Sequence, residues 1–417
     1  MRHVALMLAL LTTAVWTAPG QEVQHIQYEI TVALDPEAHA LRGVQAVTYP
    51  NTGQVPLSSL TFVLAPNLDR ERNPKLDPVV VDAGYWRGFD PAWLEVAAVR
   101  DAEGNPLEWA YERGPDAFQT YSLERVLLRV DLPQPLAPGD QTRLDIEFET
   151  KFPASLSPDQ SVHKGTYTWR FAWNPVAVPA EELVEGAYLS DARPHTPWRY
   201  PAALYSVTLS VPQEMTVAAG TNVQEEVARD DEAGTKTLRL SSDVPIRSVA
   251  LVMGQQLRRY TLSANGLPIH IVYGPGEEAA ARQLATYAVE VLDAFGARWG
   301  AYGYRQLTVV SSWTNGYFGM AADGLIVLGN SGFIEKDLTV AGMADRLLEY
   351  LLAHEIAHQW WGMGVGTDFN AENYISEAFS EYLSITYFEE KYRAQGPNLI
   401  QIEREGFLES AVENQFG

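Results

Sequence analysis

The chain has 417 residues, 46% of them hydrophobic, which is enough to bury a large core and to form roughly two or three domains. Its 53 acidic residues outnumber 30 basic ones, and the net charge of −23 argues against nucleic acid as a partner, because such a surface repels phosphate backbones. The absence of cysteine excludes disulfides, a thiol nucleophile and thiolate metal ligands, so any metal must be bound by His, Asp or Glu.

The N-terminal segment is typical of a secretory signal peptide. Arg2 precedes an apolar run over residues 4–16, and the small residues Ala18 and Gly20 stand at a suitable cleavage position. The run is shorter than the about 20 apolar residues that a membrane-spanning helix needs, and no second apolar span follows. We therefore expect a signal peptide over residues 1–20, an extracytoplasmic location (secreted or periplasmic), and no stable membrane insertion after its removal.

Residues 21–257 have the pattern of an antiparallel β domain. Apolar and polar residues alternate in three stretches, His25–Leu34, Thr142–Phe152 and Leu204–Val211. Period-two alternation predicts strands with one buried face, which is usual in antiparallel sheets. Segments rich in Pro, Gly and Asp separate these stretches and predict turns.

Residues 258–417 change to a mixture of helices and strands. Gly276–Gly300 carries an apolar stripe at helical spacing, the short segments QLTVVSS and GLIVLG predict two strands, and two further helices follow. The loop between these two helices is expected from about Gly362 to Asn373. The expected fold is thus a β domain followed by an α+β domain.

The stretch LLAHEIAHQWWG places His354 and His358 one helical turn apart, with Glu355 directly after the first. Residues four apart lie on one face of a helix, so both imidazoles can bind one metal ion while Glu355 lies beside it as a general base. Two histidines at this spacing also occur as ordinary core residues. A third ligand decides between the two interpretations, since catalytic zinc has three protein ligands and one open position.

Glu377 supplies a third ligand, because it lies in the next predicted helix after His358. A short loop lets this helix fold back against the first one. The sequence therefore predicts one zinc ion per chain, held by His354, His358 and Glu377. Zinc polarises a peptide carbonyl and acidifies water, and Glu355 would move the proton of water to the leaving amine.

The motif HEIAHQWWG, followed in the next helix by Glu377, resembles the zinc aminopeptidases of the membrane alanyl aminopeptidase and leukotriene hydrolase type, which are gluzincin metallopeptidases. Ser190–Val211 and Phe318–Leu328 are similar to two other segments of that family, the second being its G-A-M-E-N-W-G-L-I strand. The resemblance implies a β saddle or sandwich domain, a thermolysin-like α+β catalytic domain, and a peptide or protein substrate. By similarity to thermolysin-like enzymes, Glu381 is expected to orient a ligand histidine, and the alternative is a solvated glutamate.

The chain departs from the family in the strand that is expected to bind substrate through Gly319, Met320 and Ala321. Ala321 stands where the family has the glutamate that holds the α-amino group of the substrate. Asp323, two residues on, is expected to share the strand face and to offer a displaced carboxylate. The departure implies weakened aminopeptidase specificity and leaves exopeptidase and endopeptidase action open.

A second departure is that the sequence stops at Gly417, soon after Glu377, so the chain resembles a C-terminally truncated member of the family. The family's oxyanion-stabilising tyrosine and its helical C-terminal domain lie farther downstream and are not expected in this chain. Tyr317, next to the substrate strand, is a candidate substitute, and the alternative is a simple packing residue.

These observations predict an exported zinc metallopeptidase. The alternative is a zinc-bound but catalytically impaired binding or scaffold protein on the same fold, which Ala321 favours and the intact Glu355 opposes. A purely structural β protein would not explain the third ligand. The sequence defines neither the side-chain preference nor the oligomeric state.

Overall fold

The structure is a computed structural model, and it describes residues 24–72, 84–113, 124–157, 159–180, 201–221, 223–313, 319–330, 344–366 and 369–392. The predicted signal peptide and Tyr317 lie outside the described residues. So do the part of the family-like segment that precedes Pro201 and the chain after Tyr392.

The first part of the chain forms three sheets in the described residues. Their strands are β1 (Gln27–Asp35), β2 (Ala40–Pro50), β3 (Leu57–Val63), β4 (Trp93–Asp101), β5 (Trp109–Glu112), β6 (Leu127–Leu136), β7 (Gln141–Lys151), β8 (Gln160–His163), β9 (Thr166–Trp169), β10 (Val176–Ala177), β11 (Leu204–Pro212), β12 (Thr216–Ala219), β13 (Val223–Asp230), β14 (Thr235–Ser241) and β15 (Leu251–Gly254). A 3₁₀ helix covers Ala65–Asp69. The strand orders are β13-β14-β11-β1-β2-β7-β4, β10-β3-β6-β5 and β12-β15-β9-β8.

The predicted alternation is present in β1, where every second side chain is buried. Tyr28 of β1 stacks on Tyr205 of β11, with ring centroids 4.7 Å apart, inside the largest apolar cluster. β1 pairs antiparallel with β2 but parallel with β11. The prediction of a purely antiparallel domain is therefore wrong for this pair, because alternation reports which face is buried and not the direction of the neighbouring strand.

The second part of the chain forms a five-stranded sheet in the order β16-β17-β18-β20-β19. Its strands are β16 (Arg258–Ala264), β17 (Leu267–Tyr273), β18 (Leu307–Ser312), β19 (Gly319–Ala322) and β20 (Leu325–Gly329). The predicted strands QLTVVSS and GLIVLG are β18 and β20. β17, β18 and β20 are parallel, whereas β19 is antiparallel to β20 and forms the edge of this sheet in the described residues. The domain boundary between residues 257 and 258 stays a prediction.

Three long helices are described in this part: α1 (Glu278–Trp299), α2 (Ala344–Ala357) and α3 (Phe369–Tyr392). The loop between α2 and α3 lies earlier in the chain than predicted. α2 ends at Ala357 because the chain then enters wide turns, in which the N–H of Met363 donates to the carbonyl of His358 at 3.0 Å, and Gly362 has the left-handed φ of 125°. No helix in the described ranges combines the length and the apolar composition required to cross a membrane.

A buried charge cluster joins α2 to α3. Glu349 of α2 is 0% exposed, and its carboxylate accepts hydrogen bonds from Lys391 at 2.5 Å, Tyr392 at 2.5 Å and Tyr387 at 2.7 Å, all on α3. A buried carboxylate costs several kcal/mol unless a charge and hydrogen bonds compensate it. The cluster therefore fixes the position of α3 against α2, and the candidate metal ligands lie on α3, on α2 and directly after the end of α2.

Candidate metal centre

The end of α2 presents two histidines on one side. His354 lies in the last turn of the helix, and His358 follows it directly after Ala357. The backbone N–H of His358 donates to the carbonyl of His354 at 3.2 Å, so the helical spacing continues through the second histidine. Their ring centroids are 4.8 Å apart, as the spacing of four residues predicts.

Glu377 of α3 faces both imidazoles. Its Oε2 lies 3.2 Å from Nε2 of His354 and 3.6 Å from Nε2 of His358, and the two Nε2 atoms are 3.1 Å apart. Ligand atoms about 2.0–2.2 Å from a tetrahedral zinc ion lie roughly 3.3–3.6 Å from one another, which is close to these separations. Two imidazoles and one carboxylate are also the donor set of catalytic zinc with an open position. The three predicted ligands therefore fit a zinc ion.

Glu381 contacts His354 on the opposite side of its ring. Its Oε2 lies 3.1 Å from Nδ1 of His354, and the hydroxyl of Tyr350 donates to its Oε1. A carboxylate on Nδ1 fixes the orientation of the ring and leaves Nε2 for the metal. The structure thus places Glu381 where the sequence expects it, and it adds Tyr350, which sequence reasoning missed.

His358 is oriented by serines of α3 that sequence reasoning also missed. Its Nδ1 lies 3.1 Å from the carbonyl oxygen of Trp361, 3.1 Å from Oγ of Ser376 and 3.0 Å from Oγ of Ser380. Ser376 and Ser380 are both buried and lie one turn apart on α3. Their spacing was the available signal, because Ser380 lies four residues after Ser376 and three after Glu377, so the three side chains project from one side of the helix.

The pKa values of the candidate ligand Glu377 and the candidate base Glu355 are shifted in opposite directions. Burial lowers the pKa of His354, but hydrogen bonds to Glu377 and Glu381 outweigh burial and raise this pKa to about 10. Burial raises the pKa of Glu377, and its hydrogen bonds to His354 and His358 outweigh this and lower it. Burial raises the pKa of Glu355, and the two histidines oppose this only in part. Glu355 is therefore the carboxylate with the higher proton affinity, as a general base requires.

The edge strand β19 runs beside Glu355. A Cβ atom on Gly319 would lie 2.7 Å from Oε1 of Glu355, so glycine permits this close approach of backbone to base. Gly319 and Met320 are partly exposed, whereas Ala321 is buried. An edge strand can take up an extended peptide as an additional strand. Of the three residues predicted to bind substrate, Gly319 thus lies next to the candidate base, and Met320 and Ala321 follow it along the same strand.

Asp323 is an exception among the predicted substrate residues. It lies with Gly324 in the two-residue turn between β19 and β20, and it is 2% exposed. The Tyr304 hydroxyl donates to Oδ1 at 2.8 Å, and the backbone N–H of Arg247 donates to Oδ2 at 3.1 Å. The prediction that Asp323 offers its carboxylate to substrate is corrected, because the strand ends before it and both oxygens bond inside the protein.

Gln359, which follows the candidate ligand His358, is hydrogen-bonded to the same turn. Its Nε2 donates to the carbonyl of Ala322 at 3.0 Å, and the N–H of Gly324 donates to its Oε1 at 3.0 Å. Gln359 is buried and directly follows His358. No local pattern marks it in the sequence, because both of its partners lie far earlier in the chain.

The amino-acid sequence of this chain is distantly similar to those of known aminopeptidases. No protein-family model matches the chain. It is 23% identical over 292 residues to glutamyl aminopeptidase of Rattus norvegicus, a match that covers 68% of this chain and 30% of that protein. It is 24% identical over 182 residues to aminopeptidase 2 of Candida albicans, covering 43% of this chain and 20% of that protein. The chain thus spans less than a third of the length of these curated relatives.

Solved structures resemble the chain over most of its length. The M1 zinc metallopeptidase of Deinococcus radiodurans has a TM-score of 0.54 and 20% identity, and the match covers 89% of this chain and 71% of that one. A mutant of that protein with a bound Tyr-Ser-Ala substrate has a TM-score of 0.55 and 19% identity, covering 89% and 72%. The mostly β fold with helices is therefore that of M1 zinc metallopeptidases. The resemblance to gluzincin aminopeptidases that the motifs indicated is confirmed.

Proposed function

We propose that this chain is an exported zinc-dependent peptidase that hydrolyses peptide bonds outside the cytoplasm. The proposal depends on one observation, the convergence of His354, His358 and Glu377 at zinc spacing. Sequence similarity to aminopeptidases and the fold of M1 zinc metallopeptidases support it. A signal peptide over residues 1–20 and a thermolysin-like catalytic domain over residues 258–417 are parts of the same proposal.

Zinc, Glu355 and Glu381 would each have a different role in the reaction. Zinc held there would polarise the peptide carbonyl and acidify water. Glu355 would accept the proton of the attacking water on its carboxylate and pass it to the nitrogen of the leaving amine. Its raised pKa, caused by burial, suits both transfers. Glu381 would keep the ring of His354 turned so that Nε2 faces the other ligands.

The substrate would bind as an extended strand along β19. Such pairing uses backbone hydrogen bonds and brings the peptide past Gly319, the residue in contact with Glu355. The bound Tyr-Ser-Ala in the similar Deinococcus structure supports a peptide as the substrate class.

The preference for a free α-amino group is expected to be weakened. Ala321 carries no charge at the position where the zinc aminopeptidase family has its amine-binding glutamate. Asp323 does not replace that glutamate, because its carboxylate is buried against Tyr304 and Arg247.

A zinc-binding but inactive scaffold is the second candidate, and the uncharged Ala321 favours it. Zinc content and hydrolysis of a set of fluorogenic peptides, measured for the wild type and Glu355→Gln, separate the two. We expect about one zinc ion per chain in both proteins and a loss of about 10²–10⁴-fold in rate for the variant. Zinc in both proteins without hydrolysis in either would establish the scaffold, and a wild type that binds no zinc would refute both.

A further inference from the structure

Arg170 links the first part of the chain to the strand beside the metal site. It follows β9 directly, and its Nη1 donates to the carbonyl of Ala321 on the edge strand β19 at 3.3 Å. β9 also contacts the five-stranded sheet through the hydroxyls of Thr168 and Ser312, which lie 2.7 Å apart. These two contacts fix the guanidinium against the strand that is proposed to bind substrate.

Arg170 contacts the same strand that runs beside the candidate base. Along β19, Ala321 is two residues from Gly319, and Gly319 touches Glu355. At about 3.4 Å per strand residue this is about 7 Å, so a substrate group at Arg170 is one or two residues from the bond that is cleaved.

Asp159 pairs with one side of the Arg170 guanidinium, and the other side faces β19. Nε and Nη2 both donate to Oδ1 of Asp159, whereas Nη1 points to Ala321. The Arg170 side chain is 10% exposed, and that of Asp159 is 35% exposed. A guanidinium has five N–H donors, and these contacts use three of them.

The charge of a substrate group that lies beside Ala321 on β19 should therefore affect how tightly the substrate binds. A free ammonium beside Ala321 meets the N–H donors of Arg170 and no carboxylate on β19, and the carboxylate of Asp159 is already paired with Arg170. Donors facing an ammonium are unfavourable where water is largely excluded. A carboxylate there accepts charge-assisted hydrogen bonds from a planar guanidinium.

We propose that Arg170 binds a carboxylate of the peptide substrate beside Ala321, so that the site prefers peptides with a negative group there over peptides with a free α-amino group. The proposal rests on the proposed peptidase function and names its substrate class. The carboxylate belongs either to an acidic group on the N-terminal side of the cleaved bond or to the C-terminal α-carboxylate of a short peptide.

Binding to zinc-loaded Glu355→Gln protein, measured by calorimetry, tests the proposal without turnover. One neutral tetrapeptide is used in four forms: acetyl with amide, succinyl with amide, acetyl with free acid, and free amine with amide. We expect the succinyl or the free-acid form to bind about tenfold or more tightly than the acetyl-amide form, and the free amine to bind most weakly. Tight binding of the succinyl form identifies an N-terminal-side carboxylate, and tight binding of the free acid identifies the C-terminal one.

Variants in the same background assign the effect to Arg170. Arg170→Gln should abolish the affinity ratio, Arg170→Lys should keep part of it, and Arg239→Gln on the exposed face of β14 should keep all of it. Equal affinities for all four peptides, tightest binding of the free amine, or a ratio that survives in Arg170→Gln would overturn the proposal. If Arg170→Gln does not fold, the affinity ratio in the parent protein still tests the carboxylate preference, and Arg170→Lys tests its assignment to Arg170.

Hydrolysis by the protein with Glu355 intact separates this proposal from the proposed function. A carboxylate preference in binding, without cleavage of any of the four peptides, would refute the peptidase and support the carboxylate site. Cleavage without such a preference would refute the carboxylate site alone.

Discussion

The side-chain amide of Gln359 donates to the carbonyl of Ala322 at 3.0 Å and accepts from the N–H of Gly324 at 3.0 Å. Gln359 directly follows the candidate metal ligand His358, and Ala322 ends the strand that is proposed to bind substrate. One buried amide therefore connects the candidate metal site to the strand that is proposed to bind substrate.

Gln359→Leu removes both of these hydrogen bonds and leaves buried backbone groups with fewer partners. We expect the free energy of unfolding to fall by about 2–4 kcal/mol and kcat/KM to fall about tenfold or more, with zinc content unchanged. The matched control is Gln213→Leu, whose amide bonds an exposed turn. Denaturant unfolding, zinc analysis and peptide kinetics provide the measurements. A variant that loses stability but keeps kcat/KM would show that Gln359 has no positioning role.

Gly319→Ala places a methyl group 2.7 Å from the Glu355 carboxylate. The base has to move by about 1 Å, and a displacement of this size costs about 10²-fold in rate. We expect kcat to fall by that factor while zinc binding persists, since Gly319 touches none of the three ligands in the described contacts. Gly303→Ala is the control, because a Cβ atom there meets open space. An unchanged kcat in Gly319→Ala would contradict the assignment of Glu355 as the base.

Glu381→Ala removes the carboxylate that holds Nδ1 of His354. Loss of such a partner typically weakens zinc binding about 10–100-fold. Competition against a chelator of known affinity measures the change. Glu390→Ala serves as the control, because Glu390 lies on the same helix and pairs with Arg298 at the surface. Equal zinc affinity in Glu381→Ala and wild type would make Glu381 an ordinary helix residue.

Lys391→Met leaves the carboxylate of Glu349 buried without its cation. Breaking a buried pair from one side costs about 3–5 kcal/mol, so we expect a large fall in unfolding free energy. Arg298→Met breaks an exposed pair between α1 and α3 and should cost about 1 kcal/mol or less. Similar losses in the two variants would mean that the buried cluster does not fix α3.

The convergence of the candidate metal ligands could be predicted from the sequence because their geometry is local. His354 and His358 are one turn apart at the end of α2, and Glu377 and Glu381 are one turn apart on α3. Once α2 and α3 pack, helical spacing alone brings the four side chains together. The faces of the strands were predictable for the same reason, since alternation is local too.

The parts that sequence reasoning missed depend on contacts between distant segments. Gln359 bonds a turn that lies well before it in the chain, and Arg170 reaches a strand 151 residues later. The role predicted for Asp323 assumed that β19 continues, whereas the chain turns there and buries the carboxylate against Arg247. Strand direction also escaped prediction, because β1 has the same alternation beside antiparallel β2 and parallel β11.

We expect His354, His358 and Glu377 to hold one zinc ion. Zinc-edge X-ray absorption on the zinc-loaded protein tests it most directly, with Glu377→Gln as the comparison. We expect stoichiometric zinc with two imidazole nitrogens and a carboxylate oxygen at about 2.0–2.2 Å, and a changed coordination shell in the variant. A protein that retains no zinc, or a spectrum without imidazole that is identical in the two proteins, would contradict it.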